Sequence, residues 1–338
     1  MSAKTPPHQA VTAALSFIKG AALQPASKPG FAHALRLSYN TINADRLGWD
    51  AKRKALTYRY AFEDVVTASP TLGTMTAIMD ELTTNACFAV GQPSAPGLSL
   101  HMDMEWLIDD PTTLFGTDRK ELDVVNIVTK LGRTISFTRA EYVHPVTQQI
   151  VAYGTHVKYM PTGSFFLDII FNKSWAYALY KAVYRVNTAD VPNTYPLQDV
   201  IATHMQHTGL GHATFHITRE HTNPFGGLHG GCHAVLMEAV AMPLAKSVLS
   251  KRMKISTNGD DDNVRAFVKS IKIDYLSAGK VGQDIRITAE TIEEEVHGTK
   301  VSLRVKLSRS DGRVLSDATM LVAAGASASS PPPVTSRM

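Results

Sequence analysis

Apolar and polar positions alternate in two separate sets along this chain. In the second half, Ile285 to Val296 and Val301 to Ser308 alternate on either side of Gly298-Thr299-Lys300, and Val314 to Val322 follows a turn at Asp311-Gly312. In the first half, Leu122 to Val128, Thr134 to Val143 and Ile150 to Tyr159 repeat the arrangement around a turn at Gly132. Period-two alternation broken by glycine turns predicts antiparallel strands. Each set is preceded by one run with helical spacing. The first is Thr74 to Val90, carrying Met75, Ile78, Met79, Leu82 and Ala86; the second is Gly231 to Leu249, carrying Val235, Leu236, Ala239, Val240 and Leu244. Corresponding features lie between 158 residues apart (Asp80 and Glu238) and 169 apart (Trp106 and Tyr275).

The pattern therefore predicts an α+β chain built from two copies of one unit, each a long helix wrapped by an antiparallel sheet. The first copy is placed at residues 45–160 and the second at 212–324. Residues 161–211 form a connector with a further helix around Trp175 to Val186, and residues 1–44 and 325–338 are flexible or targeting ends. The length of 338 residues, at about 150 per domain, agrees with two units.

Composition narrows the function classes. Apolar residues make up 44% and charged residues 19% of the chain, which excludes a disordered or collagen-like sequence. No uninterrupted apolar run approaches the ~18 residues of a membrane span, so no integral membrane segment is expected. The net charge of +4 comes from dispersed basic residues, and nucleic acid is not an implied partner. Two cysteines, Cys87 and Cys232, make no disulfide framework and favour a reducing compartment. Before Asp45, the first acidic residue, lie Lys4, Lys19, Lys28 and Arg36 among Ala and Ser, as in organelle transit peptides. The chain ends Ser336-Arg337-Met338, a small, a basic and an apolar residue, which resembles the peroxisomal Ser-Lys-Leu signal. A peroxisomal location is the expectation, with mitochondrial and cytoplasmic locations as alternatives.

The candidate chemistry lies at the start of the second helix. The run Asn223-Pro224-Phe225-Gly226-Gly227-Leu228-His229-Gly230-Gly231 leads into a helix with Glu238, and Asp274 to Asp284 follows downstream. Glycines at a helix start expose backbone N–H groups, with the positive end of the helix dipole behind them. A carbonyl oxygen placed there is polarised, and a nearby carboxylate can activate water or attack the carbonyl itself. These segments resemble the hotdog-fold acyl-CoA thioesterases of the phenylacetate-pathway and 4-hydroxybenzoyl-CoA thioesterase type. The likeness is strong over 213–323 and weaker over 55–160. It implies a tandem double hotdog paired as a pseudo-dimer, acyl-CoA as substrate, no cofactor other than the coenzyme A of the substrate, no metal, and a possible homodimer of the fused chain.

Alignment of the two copies sharpens this. Nine residues separate His229 from Glu238, about 13 Å along a helix, too far for both to reach one carbonyl. A site must combine the glycine turn of one copy with the carboxylate of the other. Thr71 to Asp80 falls on His229 to Glu238 residue for residue: Asp80 keeps the carboxylate, but Thr71 replaces the histidine, Leu72 a glycine and Val65 replaces Asn223. Ser99 falls where some members carry a catalytic serine, and its counterpart is Val268. The losses are complementary. The expected catalytic set is Asp80, Ser99, Asn223, His229 and Gly230, with Gly227 and Gly231 binding substrate; Glu238 with Thr71 forms a second, degenerate site.

Other constellations count for less. Seven of thirteen histidines fall between His204 and His233, but no third ligand completes a metal set. Cys232 reads as a small buried thiol and Asp260-Asp261-Asp262 as a solvated loop tip. No Walker-type or GxGxxG loop is present. Two alternatives remain. An enoyl-CoA hydratase of the same fold shares Asn223-Pro224 and a following His, but His221 stands where that motif has Asp and His229 arrives three residues late. The other is a non-catalytic acyl-CoA binder or assembly subunit.

Overall fold

The structure, a computed structural model, describes residues 31, 35, 47–62, 71–91, 97–111, 114, 121–160, 197–223, 226–257, 264–292 and 298–325. The expected helix at Trp175 to Val186, Val65, Pro224-Phe225, Asp260-Asp261-Asp262, the N-terminal basic segment and Ser336-Arg337-Met338 lie outside the described residues.

The first unit runs β1 (Leu47–Asp50), β2 (Ala55–Ala61), α1 (Leu72–Gly91), β3 (Leu98–Trp106), β4 (Glu121–Leu131), β5 (Ile135–Val143) and β6 (Ile150–Tyr159). A short helix α2 (Leu197–Ala202) precedes the second unit: β7 (Met205–Gly209), β8 (His212–His216), α3 (Gly230–Thr257), β9 (Ala266–Tyr275), β10 (Asp284–Thr291), β11 (Lys300–Arg309) and β12 (Val314–Ala324). Among the described residues, the twelve strands form one sheet in the order β1-β2-β4-β5-β6-β3-β9-β12-β11-β10-β8-β7. The second half of that order is the first half reversed, each strand replaced by its counterpart six later. A pseudo-two-fold therefore relates the halves, and it falls on the antiparallel β3–β9 seam, where Asp103 pairs with Lys272.

The segment read as connector contains β7, which pairs with β8 as β1 pairs with β2. Its five residues, Met-Gln-His-Thr-Gly, are almost all exposed and carry no apolar alternation to announce a strand.

The two helices form the centre of the core. Nearly every residue from Leu72 to Cys87 is buried, because the sheet curls around α1 and α3 packs against it. Three buried threonines fit there by bonding backward along the helix: Thr76, Thr83 and Thr84 donate to the carbonyls of Leu72, Met79 and Asp80 at 2.8, 2.6 and 2.6 Å. The helix pair is close enough to need glycine: a Cβ on Gly231 would lie 2.6 Å from the Cα of Ala77. By length and composition, Gly230–Met253 is apolar enough to cross a membrane, although His233 and Glu238 interrupt its apolar run. Much of this stretch is buried against α1 and the sheet, as a core helix is.

Candidate active site

The two central helices present their N-termini to each other's carboxylates. Asp80, in the third turn of α1, accepts the N–H of Gly231 through Oδ2 at 2.9 Å; Glu238, its counterpart on α3, accepts the N–H of Gly73 at 2.8 Å. Free N–H groups and positive dipole ends of the first turns stabilise both acids.

Beyond that shared bond the two places differ. Asp80 Oδ1 receives Lys158 Nζ at 2.8 Å and lies 3.0 Å from Ser99 Oγ, while His229 Nδ1 lies 3.3 Å from Oδ2. Burial pushes the Asp80 carboxyl up, but Lys158 and then His229 outweigh it and hold it well below the usual carboxylate range. Asp80 is a buried anion.

His156 and Ser99 extend the network. Thr83 spends its hydroxyl proton on the Met79 carbonyl, so its oxygen must accept the Nδ1–H of His156 at 2.8 Å. That leaves Nε2 of His156 as an acceptor, 3.0 Å from Ser99 Oγ. Burial, then Lys158, lowers the imidazole well below its normal value, so it is neutral. Ser99 thus has one proton for two acceptors, Asp80 and His156.

His229 sits between two acids. Its Nε2 meets Glu81 Oε1, and its Nδ1 takes part of the Gly231 N–H at 3.1 Å. Burial disfavours the charged ring, but Glu81 and then Asp80 overcome this and raise its pKa. Both protonation states have partners.

These groups border a cavity of about 360 Å³. Asp80, Glu81, Ser99 and Lys158 from the first unit meet Asn223, Gly227, His229, Gly230 and Tyr275 from the second, and Leu98, Leu100, Leu228 and Leu276 supply apolar wall. All five residues expected to act together are here. Gly230 comes so near that a Cβ would lie 2.7 Å from Asp80 Oδ2 and 2.8 Å from Ser99 Oγ. Asn223 shapes the glycine turn, its Oδ1 accepting the Gly227 N–H at 3.2 Å. Tyr275 donates to the Gly230 carbonyl at 2.8 Å. Gly231, expected to bind substrate, gives its N–H to Asp80 and His229 and packs on Ala77 instead.

Residues 225–316, from the glycine turn to the start of β12, match the thioesterase superfamily. The chain has the hotdog fold, and its second repeat carries the superfamily match. It is similar to a protein assigned as an oleoyl thioesterase from Lactobacillus plantarum (10% identity, TM-score 0.50, covering 81% of this chain and 96% of that one). It is likewise similar to the 12:0-ACP thioesterase from Umbellularia californica (9% identity, TM-score 0.50, covering 80% and 94%). At these identities the likeness concerns the hotdog fold alone. No curated protein matches the sequence significantly.

The second crossing in this double hotdog, around Glu238, is apolar at most positions where the first is polar, Thr71 in the place of His229 being an exception. Along the helices, Glu81, Thr83 and Thr84 correspond to Ala239, Ala241 and Met242. On the strands, register about the seam matches Ser99, His156 and Lys158 with Val268, Met320 and Val322. Leu72, in the place of Gly230, is buried in the core. Glu238 keeps only hydrogen bonds from the Thr71–Gly73 turn, and burial pushes its carboxyl up to about 7.

Lys158, His156, Glu81 and Tyr275 are the site residues that the motif does not reveal. A signal existed for two of them: Ala152, Gly154, His156 and Lys158 share the inward face of β6, and a histidine and a lysine on a buried face require partners. The hydratase alternative finds no support in His221, which turns away to the Val200 carbonyl at 2.8 Å. Cys87 and Cys232 are buried, with burial pushing both thiols up. Among the described residues, no group of three or more His, Cys, Asp or Glu side chains could hold a metal.

Proposed function

We propose that this protein is an acyl-CoA thioesterase with one composite site per chain, formed where Asp80 and Ser99 of the first repeat face Asn223, His229 and Gly230 of the second. The observation that carries the reading is the asymmetry of the two crossings. One has an ionised carboxylate beside a glycine turn and an open cavity; the other has a buried glutamic acid, with Leu72, Val268, Met320 and Val322 at the positions that correspond to Gly230, Ser99, His156 and Lys158.

The thioester carbonyl enters against the Gly230 N–H, at the positive end of a 28-residue helix, and its oxygen is polarised there. Asp80 acts as the carboxylate. As base it takes a proton from water, whose oxygen adds to the carbonyl; as nucleophile it adds directly, giving a mixed anhydride that water then cleaves. Lys158 makes Asp80 a weak proton acceptor, which favours the second course. In either course the C–S bond breaks and the thiolate of coenzyme A leaves. His229, braced by Glu81, which raises its pKa, orders the glycine turn beside the developing oxyanion. The apolar wall of Leu98, Leu100, Leu228 and Leu276 suits an acyl chain rather than a charged substrate.

Purified protein is to be incubated with a panel of saturated, unsaturated and aromatic acyl-CoAs and a thiol reagent. Thiol release that Asp80→Asn abolishes and Glu238→Gln preserves supports the composite site. The reverse pattern sinks it. Loss of enoyl absorbance without thiol would make the protein a hydratase, and tight binding without turnover a carrier. The C-terminal Ser336-Arg337-Met338 supports a peroxisomal setting, tested by whether a fluorescent fusion loses punctate localisation when those three residues are removed.

A further inference from the structure

Ser99, His156, Lys158 and Thr84, which surround Asp80, have the apolar counterparts Val268, Met320, Val322 and Met242 in the second repeat, and the replacement with the largest electrostatic consequence is Lys158 by Val322. The Lys158 ammonium is buried, its side chain 4% exposed beside an Asp80 side chain 5% exposed. Its donors turn back onto one stretch of α1: Asp80 Oδ1 at 2.8 Å, Thr84 Oγ1 at 2.6 Å and the Asp80 carbonyl at 3.4 Å. Donors so committed leave the amine with no role toward a substrate phosphate. A buried cation spent on one carboxylate oxygen also costs desolvation, which a merely structural pair does not require, since apolar residues fill the same positions in the second repeat.

We infer that Lys158 is a positioning residue for the reaction: its ammonium fixes the Asp80 carboxylate against the Gly231 N–H and supplies the countercharge buried beside it. The inference rests on the thioesterase reading for its kinetic side only. Glu238 is the control carried within the same chain. It has the same cross-helix N–H bond and similar burial but no lysine, and its carboxyl rises to about 7, whereas Asp80 is held low. The other titratable groups around Asp80 and Lys158 are Glu81 and Cys87 on α1, His101 on β3, His156 on β6, His229 just before α3 and His233 on it, and Tyr275 on β9. Of these, His156 is neutral and His229 is balanced by Glu81, so Lys158 is the cation whose removal Asp80 feels most.

The test is Lys158→Met, with Lys158→Arg to retain charge. Protonation of Asp80 is read by infrared spectroscopy as the carboxylic-acid band that Asp80→Asn deletes, and kcat and KM are followed from pH 4.5 to 9. In Lys158→Met the acid band is expected to appear above pH 5, with an acid limb of kcat that the wild type does not show in this range, KM little changed, and both effects partly reversed in Lys158→Arg. A Lys158→Met protein whose Asp80 stays ionised at pH 5, or whose pH profile overlays the wild type, overturns the inference. If wild-type protein cleaves no thioester, the thioesterase reading fails, while the infrared band still decides whether Lys158 governs Asp80. Should Lys158→Met fail to fold at pH 7, it is expected to fold at pH 5 or when combined with Asp80→Asn; failure in both cases means a structural role and overturns the inference.

Discussion

Asp80 and Gly231 lie 151 residues apart in the chain and are joined by a 2.9 Å hydrogen bond from the glycine N–H to the aspartate Oδ2. The bond crosses from one repeat to the other, so the carboxylate has its partner only when both helices are in place. It also separates the two adjacent glycines. Gly231 holds the acid, and Gly230 leaves room beside it.

That division predicts opposite outcomes for two alanine substitutions. In Gly230→Ala the added methyl would press on Asp80 and Ser99, which Lys158 and His156 hold in place. Thioester turnover is expected to fall about 10²–10³-fold, the range for loss of one oxyanion donor's alignment, with little change in thermal stability. In Gly231→Ala the methyl would meet the backbone of Ala77 and push the helices apart, at about 1–3 kcal/mol of stability. Unfolding curves and kcat measured on both proteins check the pair.

Glycine spacing and helix periodicity make the cross-repeat geometry legible in the amino-acid sequence: nine residues from His229 to Glu238 is too long for a site within one helix. The repeat alignment locates Asp80, Ser99 and Gly230. What the motif does not show is how a buried carboxylate is kept charged, because Lys158 and His156 come from a strand far along the chain that sheet pairing brings beside Ser99. The same alignment carried on through β6 and β12 sets them against Val322 and Met320. β7 stays hidden for a different reason: an exposed edge strand needs no apolar alternation.

Glu238 predicts a pH dependence of stability. Its folded pKa of about 7 exceeds the ordinary 4.5, so between those values the folded state holds a proton that the unfolded state has lost. The contribution is therefore fully present below pH 4.5 and is lost as pH rises through 7, by roughly 3 kcal/mol. Glu238→Gln carries no such titration. In denaturant unfolding it should match the wild type near pH 4.5 and exceed it by a few kcal/mol at pH 8; equal offsets at both pH values would contradict the assignment. Asp80 acts with opposite sign, losing its contribution only in strong acid.

The hydrogen-bond count around His156 fixes its tautomer. Because Thr83 donates to Met79, the His156 proton must lie on Nδ1, leaving Nε2 bare toward Ser99. Nitrogen-15 NMR of the labelled imidazole should show one protonated and one unprotonated nitrogen, unchanged from pH 8 to pH 5. Ser99→Ala should move the Nε2 resonance while leaving Nδ1 in place. A ring that titrates near its ordinary value would mean that the network is open to water.

The seam between the repeats carries the last prediction. Ile271 on β9 faces Met104 on β3, Ile273 faces Met102, and all four are buried in the one core cluster that spans both repeats. With helices and sheet both shared, neither half has a complete core of its own, and the two should unfold as one unit. Ile271→Ala is expected to cost about 2–5 kcal/mol, as large-to-small core substitutions do. In native-state hydrogen exchange that loss should lower the opening free energy of β5 amides in the first repeat as much as that of β11 amides in the second. Loss confined to β11 would show the repeats to be independent domains, and the cross-repeat bonds to Asp80 and Glu238 would then contribute little to joining them.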